Sequence, residues 1–274
     1  SVNIPQRELL PPGYYMLFGL NQAGVPSIAE HIKIGSQINP GASPNLVLDL
    51  KFDEGSGINV LDSSNFGNDA TIIERDNNQN PIPVTKSYWS VDGLFGSALE
   101  MDGFQDQSNS IVEVPFSSSM DDMKDGMTVM AWVNRDEIAN NVSILTNHYP
   151  KFFFGFHNSL YKLEFTTTGG AASCYAGYSP AQKWVHIAGT YDGVRAKLYA
   201  NGVEICSDQA EGDITTQTTG QYISSFTTSG FYNGSTDSGN SGITDEIDGR
   251  IDDLKVFNKA FGKSEIEAYY NLGV

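Results

Sequence analysis

From residue 46 to the C-terminus the chain is written as short apolar, β-branched and aromatic segments, set off from one another by Gly-, Asn- and Asp-rich breaks. No other feature constrains the fold as much. The segments include "LVLDLKF", "SALEMDG", "SIVEVPF", "MTVMAWVN", "KFFFGFHN", "YKLEFTT", "WVHIAGTYDG", "AKLYANGVEI" and "GRIDDLKVFN". Turn signals at about 8–12 residue intervals are the spacing of strands joined by hairpins. Strict alternation is clearest at the start, where Leu46, Leu48, Leu50 and Phe52 fall on one face and Val47, Asp49, Lys51 and Asp53 on the other. Asp192-Gly193 and Asn201-Gly202 are strong reversal signals, and they bracket a strand over 194–200 in an antiparallel meander. The pattern predicts an all-β, two-sheet antiparallel β-sandwich of the jelly-roll kind. A barrel satisfies the same alternation and stays open as an alternative.

Composition agrees, with 28 glycines and 11% aromatic residues. One short helix is predicted at the C-terminal end, in "SEIEAYYNL", with Ser264 as N-cap, Glu267 three residues on, and Ile266 with Tyr269 or Tyr270 packing inward. The first residues are different in kind. "LPPGYYMLFGLNQAGVPSIAEHIKI", residues 10–34, holds two strand-like runs, 14–20 and 25–34, split by a turn. Two strands alone bury no core. A polar Pro/Gly/Ser stretch follows, so the expected organisation is an end fragment of another domain over 1–37, a linker over 38–45 and a sandwich over 46–274.

Charge narrows the partners. With 33 acidic and 16 basic residues the net charge is −17, which repels nucleic acid and anionic membranes and suits a secreted protein that holds cations. No apolar stretch approaches the ~20 residues of a spanning helix, so no membrane insertion is expected. The two cysteines, Cys174 and Cys206, each lie in a strand-like segment; a disulfide and two buried thiols both remain open. There is no Cys-x-x-Cys pair for a zinc-ribbon or thioredoxin-type site.

In order along the chain, "FDEGSG", "DSSNFGNDATI", "FGSALEMDG" with "VEVP", "MTVMAWVN", "WVHIAGTYDGVRAKLYANGVEI" and "GRIDDLKVFNKAFGKSEIEAYY" resemble a laminin G-like domain of the concanavalin A-like lectin/glucanase superfamily. The resemblance implies a jelly roll of two curved sheets. It departs from the usual pattern over 211–242, where "TTQTTGQYISSFTTSGFYNGSTDSGNSG" replaces a short strand with an Ile-Gly element. The opening segment is similar to the last strands of the immunoglobulin-like C-terminal domain of the galactose oxidase and glyoxal oxidase family. That implies attachment to a copper-radical-oxidase-like domain whose copper ligands lie outside this stretch; Tyr14 and Tyr15 are strand aromatics. Docking of these strands on the sandwich, or a homodimer through them, would cover their edges.

Three constellations could carry chemistry. The acidic run "TDEIDGRIDDLKVF" holds Asp245, Glu246, Asp248, Asp252 and Asp253, and hard carboxylate oxygens suit Ca²⁺. The resemblance implies a structural calcium held by Asp252 on the last strand, with Asp53 and Glu54 after the first strand as contributors and Asp102 as a weaker candidate. The alternative is a solvated acidic edge. Glu246, Asp248, Arg250 and Asp252 also share parity, and a carboxylate pair roughly 5 Å apart equips a retaining glycosidase. The superfamily's outer glutamate is missing, leaving Glu246 and Asp252 as the only pair. His186, in "WVHIAGTY", and the scattered His31, His148 and His157 have no metalloprotease or triad spacing. Asn141 and Asn233 open Asn-x-Ser sequons.

Sugar binding needs aromatic platforms with polar neighbours. The loop-like segments offer Tyr88 and Trp89, Tyr149, and Phe231, Tyr232 and Asn233, whereas Trp132 and Trp184 sit in strand patterns as core residues. The function expected is a non-catalytic, secreted or cell-surface carbohydrate-binding module that recognises a polysaccharide or glycoconjugate and carries structural Ca²⁺. A protein-protein adhesion domain and a polysaccharide hydrolase or lyase are the alternatives.

Overall fold

The computed structural model describes residues 13–17, 30–34, 44–76, 81–102, 109–115, 117–121, 126–138, 141–147, 152–214, 226–228, 231–233, 242–244 and 247–274. The chain divides into two units, residues 1–39 and 40–274. In the first, β1 (Gly13–Leu17) and β2 (Glu30–Ile34) pair antiparallel, Gly13 opposite Ile34 and Leu17 opposite Glu30. These fall within or next to the two apolar runs expected to be strands, whose inner ends lie outside the described residues.

The second unit begins with β3 (Leu46–Leu50), β4 (Asn59–Val60), β5 (Ala70–Arg75), β6 (Pro81–Ile82), β7 (Trp89–Ser90), β8 (Ala98–Asp102) and β9 (Asn109–Val114). A helical turn α1 (Ser118–Asp121) precedes the long strand β10 (Met127–Arg135), then β11 (Asn141–Asn147), β12 (Phe152–His157), β13 (Leu160–Thr167) and β14 (Gly170–Ala176). The chain continues through β15 (Val185–Tyr191), β16 (Arg195–Ala200), β17 (Val203–Gln209), β18 (Phe226–Thr228), β19 (Phe231–Asn233), β20 (Gly242–Thr244) and β21 (Asp248–Phe257) to the helix α2 (Lys263–Tyr270).

Two large antiparallel sheets result, beside a separate two-stranded sheet of β19 and β20. The first runs β17-β16-β15-β10-β21-β8-β7, with β3 also on β21; the second runs β14-β13-β12-β11-β18-β9-β5-β4, with β6 on β5. Their facing sides form one core: Val129, Ala131, Val133, Ile187 and Ile251 meet Phe154, Phe156, Leu163, Phe165 and Val112, all buried. The architecture is the sandwich that the alternation predicts, because period-two side chains on two sheets share one interior. Turn chemistry acts where expected. Asn201 and Gly202 take φ of 48° and 77°, closing the two-residue hairpin between Ala200 and Val203. The Asp192 turn is longer, since Tyr191 pairs with Ala196 and Asp192 Oδ1 accepts from the backbone N–H groups of Val194 and Arg195.

The last strand breaks its own alternation. Residues 248–251 pair with β8, residues 254–257 with β3, and β10 lies along the other side. Between the pairs Trp132–Asp252 and Met130–Lys255, β21 advances three residues against two on β10, a bulge with Asp253 at φ 53°. Without it, period two would place the Asp252 carboxylate on the same side as Leu254 and Val256. With it, Ile251, Leu254 and Val256 all enter the core while Asp252 and Lys255 turn outward.

The outward side of the first sheet is covered as well. Helix α2 buries Ile266 and Tyr269, and Trp132 stacks on Tyr270 with ring centroids 5.7 Å apart, tilted 5.2 Å from His186. With Tyr270 over Trp132 on one side and the inter-sheet core on the other, all nine residues of β10 are buried. The helix begins two residues earlier than the Ser264 cap predicted: Gly262 is the N-cap, and its backbone N–H donates to Glu265 Oε2 at 2.9 Å. Lys263 adds the extra turn residue, and Glu265 takes the reach-back role expected of Glu267. At the open side, the edge strands β14 and β17 are joined by the Cys174–Cys206 disulfide, with Cα atoms 5.8 Å apart, and Ser173 N donates to Asp208 Oδ2 at 2.8 Å. The bridge settles the cysteine alternative that spacing left open. Among the described residues no helix is long and apolar enough to cross a membrane.

Candidate functional site

The gap beside the bulge positions the first candidate. Where β8 and β3 part, the 92–97 loop drops over β21, and Asp252 Oδ2 accepts from the backbone N–H groups of Leu94 (2.7 Å) and Phe95 (2.8 Å). Asp53 Oδ1 accepts from Ser97 N at 2.9 Å on the same loop, and Gly96, at φ 94°, leaves room for that carboxylate: a Cβ there would sit 2.4 Å from Asp53 Oδ1. Asp252 is wholly buried, and its Oδ1 has no hydrogen-bond partner. Burial pushes its carboxyl up to about 7; the two loop N–H groups pull down, and Asp253 and Asp53 push further up. Glu54 accepts from Leu61 N at 2.8 Å through Oε1, and its buried Oε2 is unpartnered.

Asp102 belongs elsewhere. It lies at the far end of β8 opposite Asp248 and is held by Lys86 at 2.7 Å. Among the described residues no group of three or more His, Cys, Asp and Glu side chains is placed as a metal-ligand set. Asp252 Oδ1 and Glu54 Oε2 are each buried without a hydrogen-bond partner, and Asp53 lies close enough to Asp252 to push its carboxyl up; hard oxygens of this kind are the donors that Ca²⁺ takes.

The residues expected to stack on sugar fare differently from one another. Tyr88 is corrected: it is 2% exposed, lies in the core, and donates its hydroxyl to Glu74 at 2.5 Å, so its ring presents no face to a ligand. Desolvation and then Glu74 raise that phenol far above its ordinary range. Trp89 is half-buried against the core and strapped by Nε1 to the Gly57 carbonyl at 2.9 Å. Phe231, Tyr232 and Asn233 form β19, paired with β20; their side chains, and Tyr149 altogether, lie outside the described residues.

The glycosidase pair gains nothing. Glu246 lies outside the described residues, and Asp252 is buried with one oxygen committed to two loop amides. Asp248, Arg250 and Asp252 do share the outward face, but Arg250 only approaches Asp92 (3.9 Å) and Asp136 (3.8 Å). His186 is buried and structural: its backbone N–H donates to Asn201 Oδ1, its ring packs on Trp132, and its Nδ1 has no partner.

The outward face of the second sheet holds a cluster that a search for loop aromatics misses. Because Phe154, Phe156, Leu163, Phe165 and Cys174 point into the core, their alternates point out: Phe153 and His157 on β12, Lys162 and Glu164 on β13, Tyr175 on β14. Pairing brings Lys162 opposite Tyr175, and Asn141 on β11 opposite His157. Tyr175 donates its hydroxyl to Glu164 Oε2 at 2.9 Å, and Lys162 Nζ lies 3.3 Å from the same oxygen. The ammonium also sits 4.0 Å from the Phe153 ring centroid and 5.2 Å from that of Tyr175. His157 meets Tyr175 edge-on at 5.8 Å and shares a 2.8 Å hydrogen bond between Nδ1 and Asn141 Oδ1.

Tyr175 is 39% exposed, while Lys162 and Phe153 beneath it are 7% and 6% exposed. An accessible phenol ring is thus held rigidly among a carboxylate, an ammonium, an imidazole and an amide. That combination offers an apolar platform to C–H groups and hydrogen-bonding atoms to hydroxyls around it. The signal was present in the sequence as the polar residues alternating with core residues in "KFFFGFHN", "YKLEFTT" and "ASCYAG".

Comparison with known proteins bears on the fold. A laminin G profile, described as the Concanavalin A-like lectin/glucanases superfamily, matches residues 106–267, more than half of the chain. A second profile, Galactose oxidase-like, Early set domain, matches residues 1–34. No curated protein sequence matches. Among solved structures, domain 4 of AbnA, a GH43 extracellular arabinanase from Geobacillus stearothermophilus solved in complex with arabinotriose, is similar with a TM-score of 0.55 and 18% identity, over 81% of this chain and 97% of that one. The binding domain of Paraclostridial Mosquitocidal Protein 1 gives a TM-score of 0.57 at 15% identity over 83% of this chain. The binding domain of Botulinum Neurotoxin DC, in complex with SialylT, gives 0.57 at 14% identity over 84% of this chain. This chain spans about half of each of those two binding domains, 52%. At such identities the likeness is one of fold.

Proposed function

The chain belongs to the concanavalin A-like lectin/glucanases superfamily, and from that membership we propose that residues 40–274 are a non-catalytic carbohydrate-binding module of a larger secreted or cell-surface protein. The fold alone does not choose among binding, adhesion and catalysis. The observation that carries the reading is the outward strip of the second sheet, where the exposed Tyr175 ring is fixed by Glu164, Lys162 and His157. Saccharide complexes of proteins with a similar fold, with arabinotriose and with SialylT, support the assignment of ligand class. The disulfide supports an oxidising compartment. The match over residues 1–34 supports attachment to a galactose oxidase-like domain, the module tethering that partner to glycan. Among the described residues β1 and β2 pair only with each other, and a homodimer through these strands would satisfy their edges; ultracentrifugation with and without residues 1–39 tests it.

Ca²⁺ is the structural cation of this proposal. Asp252 and Glu54 would hold it with unpartnered carboxylate oxygens, Asp53 would add charge, and the cation would neutralise carboxylates that burial otherwise penalises. It supplies no chemistry to a ligand; its effect is on the stability of the 92–97 loop. A glycan array, run with and without chelator on the full chain and on Tyr175→Ala, tests the whole reading. Binding to a polysaccharide that falls at least tenfold in Tyr175→Ala supports it. Tight binding to a protein ligand with no glycan bound, or glycan binding indifferent to Tyr175→Ala, overturns it. For the cation, Ca²⁺ titration should raise the melting temperature of the wild-type chain but not of Asp252→Asn.

A further inference from the structure

We infer that the outward strip of the second sheet selects uncharged, hydroxyl-rich saccharides and rejects anionic ones; this rests on reading the strip as a glycan site. Among the described residues of β11, β12, β13 and β14, Lys162 is the only lysine or arginine. An anionic sugar would have to claim that ammonium, and its charge is already committed. It lies 3.3 Å from Glu164 Oε2, and the side chains of the pair are only 9% and 18% exposed. Its remaining surface rests on the Phe153 and Tyr175 rings. The Tyr175 hydroxyl donates to the same carboxylate, which fixes Glu164 against the ring.

Among the described residues of the strip, Lys162 and Glu164 pair one positive with one negative charge, inside a chain of net charge −17. An approaching uronate or sulfate therefore meets repulsion at long range and a carboxylate at contact. A hydroxyl meets the opposite: carboxylates accept strongly from O–H donors, and the hydrogen bond is charge-assisted. Glu164 and His157 contact the Tyr175 side chain and Asn141 holds His157, so polar groups border the ring whose face would take a sugar's C–H groups. The ligand class is thus a neutral pentose or hexose polymer, held by stacking and hydroxyl hydrogen bonds.

The test uses the full chain with two neutral polymers, arabinan and galactan, and two anionic ones, polygalacturonate and heparin. Each is titrated at about 20 and about 200 mM salt, where the screening length falls from roughly 20 to roughly 7 Å. The expected result is binding of a neutral polymer that changes less than about twofold with salt, and none of the anionic polymers. The matching variant is Glu164→Gln, which releases the Lys162 charge. It should gain polygalacturonate or heparin binding of at least tenfold at low salt, lost again at high salt. Anionic binding by the wild-type chain overturns the selectivity while leaving the glycan reading standing. Absence of binding to any saccharide on the array overturns both. The wild-type comparison decides even where Glu164→Gln fails to fold, and a folded Glu164→Gln with no anionic gain overturns the charge-cancellation argument.

Discussion

His186 gives the sharpest measure of how completely helix α2 dries the outward face of the first sheet. Its ring lies against Trp132 and Tyr270, 2% exposed, and burial drops its imidazole to about 3, with Lys255 adding a smaller downward push. In the unfolded chain the group titrates near the ordinary value of about 6.5. The folded state therefore binds fewer protons than the unfolded state between these values. Its stabilising contribution is complete above pH 6.5 and is lost as pH falls toward 3. At about 1.4 kcal/mol per pH unit, the loss by pH 5 is about 2 kcal/mol.

Asp252 runs the other way over part of the same window. Its folded value is raised to about 7, so its contribution is present at low pH and is lost as pH climbs through 7. A raw pH profile would mix the two, and the difference between two proteins separates them. Urea denaturation of the wild-type chain and of His186→Phe, both with chelator, at about pH 7.5, 6 and 5, isolates the imidazole, because any overpacking by Phe is a pH-independent offset. The stability of the wild-type chain relative to the variant should fall by about 2 kcal/mol between pH 7.5 and pH 5. A difference that stays flat would show that the imidazole is hydrated in the folded protein, and the argument from burial would fail.

Reduction of Cys174–Cys206, or Cys174→Ser with Cys206→Ser, removes a cross-link over a sequence separation of 32 residues and should cost about 3–4 kcal/mol, read as a lower urea midpoint. An unchanged midpoint would mean that the edges of β14 and β17 hold without it. Lys255 is 2% exposed and holds Asp49 Oδ1 at 2.8 Å together with Asp253. Burial pulls its ammonium down, but Asp253 and Asp49 outweigh that and keep it above its ordinary value. Lys255→Met should therefore destabilise by about 3–5 kcal/mol near neutral pH, because it strands the Asp49 carboxylate in the interior; a loss under 1 kcal/mol in thermal or urea melts would contradict this. Gly96→Ala combines a left-handed φ with a Cβ thrust onto Asp53 and should cost about 1–3 kcal/mol, read in thermal melts, and, under the cation proposal, should weaken the expected response of the melting temperature to Ca²⁺.

The sequence by itself determined the layers. Leu48 and Leu50, the alternation in "YKLEFTT", and the Asn201-Gly202 reversal each act within a few residues, so local pattern suffices to specify strands, hairpins and a shared apolar interior. Tertiary structure alone decided the sites. Tyr88 looked like a loop aromatic and became core because the second layer supplied Glu74 for its hydroxyl, a partner the chain brings from 14 residues away. The outward strip arises only when β11, β12, β13 and β14 lie side by side in register, gathering Asn141, His157, Lys162, Glu164 and Tyr175 from separate segments. Asp252 likewise owes its burial to a bulge and to a loop some 157 residues distant in sequence. Pairing register and loop placement depend on contacts between distant segments, and no single stretch of chain encodes a distance to another.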